Sequence, residues 1–229
     1  MAIGNSAKFY EERQYLQAGE TEISERSFNL IIGGVLLWGF LLNYLLVTLF
    51  GPQITRMVMG TNPLIFLVGY FALVIVGSIL LNKKSAALSF LGYNLIALPI
   101  GVVVCACVTT VPVSIVQSAV LVTAIVTLSF KIMATVFPRF FLSMGRALCV
   151  GLLVAIIAEA VSLLIFHAAS SVFEWIFVAI FSLYIGYDWA RANTCARTVN
   201  NAIDLAACLY VDILNLFLRI LEIMSKKKD

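Results

Sequence analysis

Residues 209–222 read LYVDILNLFLRILE, an apolar run with Asp212 near its start and Arg219 two turns later. Leucine, isoleucine and phenylalanine at this density suit a buried helix or a membrane span, and neither environment accepts a lone carboxylate cheaply. At 100° per residue, Asp212, Asn215 and Arg219 fall within about 60° of one another. Asn201, Cys208 and Glu222 lie near the same stripe, with Asp204 at its edge, and the other faces are Leu, Ile, Val and Phe. A helix surrounded by lipid would not carry a polar wall along its length, so this one is expected in the middle of a helix bundle.

The rest of the chain sets that bundle in a membrane. Of 229 residues, 62% are hydrophobic and only 12% charged, and the mean hydropathy is +1.04. A soluble domain is about half apolar and about a quarter charged. A chain this short cannot bury so much apolar surface in its own core, so lipid must cover the remainder. Runs of about 20 apolar residues, the length that crosses the hydrocarbon, occur at 28–50, 64–81, 86–108, 113–130, 147–167, 172–188 and 202–222. These predict an all-α integral membrane protein of seven transmembrane helices. The expected organisation is a polar tail over residues 1–27, a transmembrane domain over 28–224 and a basic tail over 225–229. The polar start lacks an apolar signal core, so the first run is expected to remain as an uncleaved span. Pro52, Pro63, Pro112 and Pro138 are expected at breaks between helices, and Pro99 inside the third.

Charge orients the spans. With the N-terminus in the cytoplasm, the inner segments carry Lys8, Arg13, Arg26, Lys83, Lys84, Lys131, Arg139, Arg146, Arg191 and Arg197, while the outer loops carry Arg56. The positive-inside rule therefore selects this orientation. Seven crossings then put Lys226, Lys227 and Lys228 outside, against the rule. Either the earlier spans override them or the last segment does not cross fully.

Ionisable residues in spans mark function or interior pairing. Here they are Glu159, Asp188, Asp204, Asp212 and Arg219, with Glu174 and His167 near outer ends. In YIGYDWARA, Tyr184, Asp188 and Arg191 share a helix face. A turn near residue 200 would leave Asp188 and Asp212 each twelve residues from its centre, hence at similar depth, at most about 18 Å from the cytoplasmic surface. Two carboxylates in a poorly hydrated site do not both ionise cheaply and are expected to share a proton. Protonated, such a pair ties two helices together; deprotonated, it repels, hydrates and attracts a cation. Simpler roles exist for each residue. Asp212 could pair with Arg219, Asp188 with Arg191, and Asp204 could favour its helix dipole. Glu159 has no partner visible in sequence.

FSLYIGYDWARA, followed by NNAIDLAACLYVDILNLFLRIL, resembles the transmembrane Bax-inhibitor-motif family, that of Bax inhibitor-1 and its bacterial relatives. The tyrosine-aspartate of span six, LY-x-D-x-x-NLF of span seven and the 24-residue spacing of the aspartates carry the likeness. The resemblance implies two three-helix groups around a central C-terminal helix. It also implies a pH-sensitive calcium leak channel governed by Asp188 and Asp212. The family's arginine at the inner end of span two has no counterpart, because NKKS offers Asn82, Lys83 and Lys84. A lysine replaces the charge but not the bidentate fork, so Lys83, Lys84 and Arg191 are the residues available as a latch. Calcium takes six to eight oxygens. Asp188 and Asp212 would supply a few, with Asn215, Asp204 or water supplying the rest, which makes a weak site suited to transport.

The expected function is thus a cation leak with no tightly bound cofactor, calcium as the transported ion, and the lipid bilayer as its surroundings. The bacterial inner membrane is the expected location. The alternative is a regulator without transport, whose tail EERQYLQAGETEISER binds a membrane protease or another membrane protein. Enzymatic activity is not expected. One histidine cannot make a multi-histidine zinc site, and no G-x-S-x-G element stands beside a plausible base. Five cysteines, mostly in apolar runs, read as small buried residues, and the small scattered net charge of +3 suggests no nucleic-acid partner.

Overall fold

The computed structural model describes residues 15–16, 20–83, 85–166 and 171–226. These form eight helices: α1 (Glu25–Gly60), α2 (Pro63–Leu81), α3 (Ala86–Val108), α4 (Val113–Val136), α5 (Pro138–Ser143), α6 (Gly145–Phe166), α7 (Ser171–Ala192) and α8 (Val199–Lys226). No strand occurs among the described residues. Six helices, α1, α2, α3, α4, α6 and α7, are long and apolar enough to cross a membrane. The seventh expected span is the helix α8, 28 residues long. It stands apart from the six because Asp204, Asp212, Arg219, Glu222 and Lys226 interrupt its apolar faces.

Local chemistry fixes the helix ends. The Ser24 hydroxyl accepts from the Ser27 amide at 3.1 Å and starts α1 at Glu25, three residues before the expected span. The Asn62 side chain caps α2, and Pro63 occupies its first turn, where a missing amide donor does no harm. Pro112 precedes α4 and Pro138 opens α5, as expected, and Pro99 lies within α3. Pro52 departs from expectation: it lies inside α1, not at a break. The proline removes a single amide donor, that to the Thr48 carbonyl, and the helical bonds on either side carry α1 past it to Gly60. The gap expected between the runs 113–130 and 147–167 is likewise mostly helical, since α4 continues to Val136 and α5 fills the space before α6.

The chain divides into two compact units. The first comprises Met1–Val103 with Ala192–Tyr210. Here the Tyr93 hydroxyl donates to the Val35 carbonyl at 2.9 Å, and the Tyr210 hydroxyl donates to Asn43 Oδ1 at 3.0 Å. The two rings meet edge to face with centroids 5.4 Å apart. Gly39 makes room for them, because a Cβ there would overlap both tyrosines. At the start of α8, the Asn200 amide donates to the Lys83 carbonyl at 3.1 Å, and the Ser89 hydroxyl donates to Asn200 Oδ1 at 2.5 Å.

The second unit comprises Val104–Arg191 with Val211–Asp229. Phe141 of α5 is wholly buried with Ala134 and Ala190, and its ring lies where a Cβ on Gly186 would stand. This contact pins the short helix to α7. Residues of α8 in both units are mostly buried, including Asn201, Leu209, Asp212, Leu216 and Leu221. That burial agrees with its expected interior place and explains why its polar stripe is affordable.

Candidate functional site

Asp188 stands near the end of α7, and Arg191 is on the same face one turn later. Arg191 Nη1 donates to Asp188 Oδ1 at 2.9 Å, and the guanidinium carbon lies 5.6 Å from the Tyr187 ring centroid. Across from them on α8 is Asp212, whose buried carboxyl group lies close to that of Asp188. The carboxylates are 3% and 8% exposed. The hairpin α7–α8 therefore brings together the two aspartates that the sequence set at equal depth. Two carboxyl groups this close and this buried do not both ionise cheaply.

A second polar group occupies the same two helices nearer the other end. The Arg219 guanidinium forms a two-pronged contact with Glu159 of α6, Nη1 to Oε1 at 3.0 Å and Nη2 to Oε2 at 3.3 Å. Arg219 Nη1 also donates to Glu174 Oε2 at 3.0 Å, and the guanidinium lies 4.1 Å from the Phe177 ring centroid. Lys226 Nζ is 2.7 Å from Glu222 and 3.5 Å from Glu174. Glu174 is 2% exposed and sits among these cations. Antiparallel helices explain the arrangement. Fourteen residues back from Asp188 along α7 is Glu174, and fourteen forward from Asp212 along α8 is Lys226, so the register that pairs the aspartates also pairs these two.

The other expected site residues separate. Arg219 meets Glu159 and Glu174 rather than Asp212, from which it lies about 10 Å along the helix axis. This supplies the partner for Glu159 that sequence alone did not reveal. The Asn215 amide donates to the Val211 carbonyl at 2.9 Å within its own helix. Asp204 is half-buried on the part of α8 that belongs to the first unit. The Lys83 side chain is exposed, and its backbone carbonyl accepts from Asn200. Lys84 and His167 lie outside the described residues. Sequence reasoning missed Glu222 and Lys226 as partners. The signal was present in the i, i+3 and i, i+4 spacings of Arg219, Glu222 and Lys226. Among the described residues, no group of three or more His, Cys, Asp or Glu is placed to hold a metal ion.

Multiple apolar helices with a buried carboxyl pair define a multi-pass membrane protein. Residues 22–229 match the model of the family described as Inhibitor of apoptosis-promoting Bax1, and the chain belongs to that family. Two curated relatives, each called an uncharacterized protein, come from two strains of Helicobacter pylori. Each is 32% identical over 91 residues, covering 38% of this chain and 37% of the relative. The match thus spans little more than a third of the length of those relatives.

Proposed function

We propose that this protein is a pH-sensitive calcium leak channel, gated by the Asp188–Asp212 pair. The observation that carries the reading is the close approach of two buried carboxyl groups, one of them held by Arg191. In the proton-bearing state, Asp188 accepts from both Arg191 and Asp212, and α7 stays tied to α8. Loss of the shared proton leaves two like charges a hydrogen bond apart with only one nearby guanidinium. The helices then part, water enters, and a divalent cation can replace the proton. The pair offers too few oxygens to retain calcium tightly, so water completes the shell and the ion moves on. In this reading α8 crosses as a seventh span, with two three-helix groups around it. The N-terminus is cytoplasmic and the membrane is the bacterial inner membrane.

Calcium flux into proteoliposomes at pH 6, 7 and 8 tests the gate. Wild-type flux is expected to rise with pH, because deprotonation opens the pair. Asp188→Asn and Asp212→Asn remove the shared acidic proton and are expected to flatten that dependence. Flux no greater than through empty liposomes at every pH would overturn the channel reading. The non-transporting regulator, acting through its N-terminal tail on a membrane protease or other membrane protein, would then be the better account.

A further inference from the structure

The twelve carboxylates of this chain are unevenly distributed: none occurs between Arg26 and Ala158. Within that acid-free stretch, Lys131 near the end of α4, Arg139 on α5 and Arg146 in the first turn of α6 are carried on the short helix and the two helix ends that it joins. All three are exposed, and none takes part in an ion pair among the described residues. Lys131 Nζ lies 4.2 Å from the Trp189 ring centroid, a contact that positions the ammonium without neutralising it.

Their setting is rigid and half apolar. Phe141, wholly buried, anchors α5, and it meets Phe130 and Phe140 edge to face at 6.2 and 5.3 Å. Beside it, Phe137, which precedes the helix, and Phe140 within it are 60% and 55% exposed. A solvated cytoplasmic loop needs no pair of exposed phenylalanines on a fixed platform. Aromatic rings among unpaired cations suit the boundary where acyl chains meet headgroups.

We propose that α5 and the adjoining helix ends form a binding site for an anionic phospholipid. Lys131, Arg139 and Arg146 face the headgroup phosphate, while Phe137 and Phe140 lie against the upper acyl chains. The charge complementarity commits the site to an acidic lipid. Zwitterionic lipids carry their own cation and gain little from three more. This inference is independent of the leak reading, because it uses no residue of the aspartate pair.

The test titrates purified full-length protein in detergent with phosphatidylglycerol or phosphatidylcholine, counting bound lipid by native mass spectrometry. Wild type is expected to retain phosphatidylglycerol in preference to phosphatidylcholine. Taking about fivefold per basic residue beside an anionic headgroup, K131Q/R139Q/R146Q should weaken phosphatidylglycerol binding roughly a hundredfold. R13Q/R26Q/R56Q removes equal charge elsewhere and should change binding by less than the about fivefold of a single such contact. R139Q alone, at an exposed position, provides the same comparison should the triple variant fail to fold, and its loss should be about fivefold. Equal retention of both lipids overturns the proposal. So does equal loss in the two triple variants, or no loss in R139Q. Competition by inorganic phosphate at lipid concentrations would assign the cations to a soluble anion and also overturn it.

Discussion

Arg219 is the residue on which the most other charges depend. It holds Glu159 with two donors and Glu174 with one, while Glu174 is almost fully enclosed. Removing a shared cation leaves the buried acid without its main partner, and breaking a buried pair this way destabilises by about 3–5 kcal/mol. Arg219→Gln should therefore lower the thermal unfolding midpoint in detergent markedly. Glu159→Gln should lower it less, because Arg219 retains Glu174 and Glu159 is the more exposed acid. Equal midpoints for the two variants would show that Glu174 does not rely on the guanidinium. Asp188 and Asp212 were legible as a pair from their spacing alone, since a hairpin imposes equal depth on residues equidistant from its turn. The partners of Arg219 were not, because Glu159 comes from α6, sixty residues away in sequence, and no helical period connects them.

Among the elements, α8 reports best what can and cannot be read from a sequence. Its polar stripe predicted an interior helix, and its buried side chains agree. The particular contacts depend on what lies opposite. Asn200, near its start, bridges the Lys83 carbonyl and the Ser89 hydroxyl in the first unit. Asn200→Ala should remove both bonds, leaving the buried Ser89 hydroxyl with the Leu81 carbonyl at 3.1 Å, and cost about 0.5–1.5 kcal/mol. Ser89→Ala should cost less, and the double variant should be less destabilised than the sum, because both substitutions remove the same bond. Thermal unfolding of the four proteins measures that coupling; strict additivity would refute it. The boundaries of α1 show the opposite limit. Gly51–Pro52 looked like a break, but helical hydrogen bonding before and after a proline can carry a long apolar helix past it.

For the whole molecule, the open question in the sequence was whether its last helix completes a crossing. Lys226 is no longer merely a charge on the wrong side, since it contacts Glu174 and Glu222. An odd number of spans predicts that a single cysteine introduced as Asp229→Cys, in a chain whose five native cysteines are replaced by alanine, reacts with a membrane-impermeant maleimide added to intact cells. Labelling only after lysis would leave the C-terminus inside and reduce the crossings to six. Composition and spacing were enough to reveal a helical membrane protein and its paired aspartates. The division into two units was not legible, because both draw on α8, and nothing in its apolar pattern marks where one ends.

The length of α1 has a consequence for its surroundings. Its 36 residues measure about 54 Å at 1.5 Å per residue. To fit that length within a hydrocarbon layer of about 30 Å, the axis would have to lean about 56°, well past the 0–40° usual for membrane helices. At a tilt of 40° the helix still outreaches the layer by about 11 Å, so some of its turns stand among the headgroups. Bilayer thickness then becomes a mechanical variable for this protein. A thinner membrane exposes more of α1 or leans it further, and α2 must follow, because only two residues connect them.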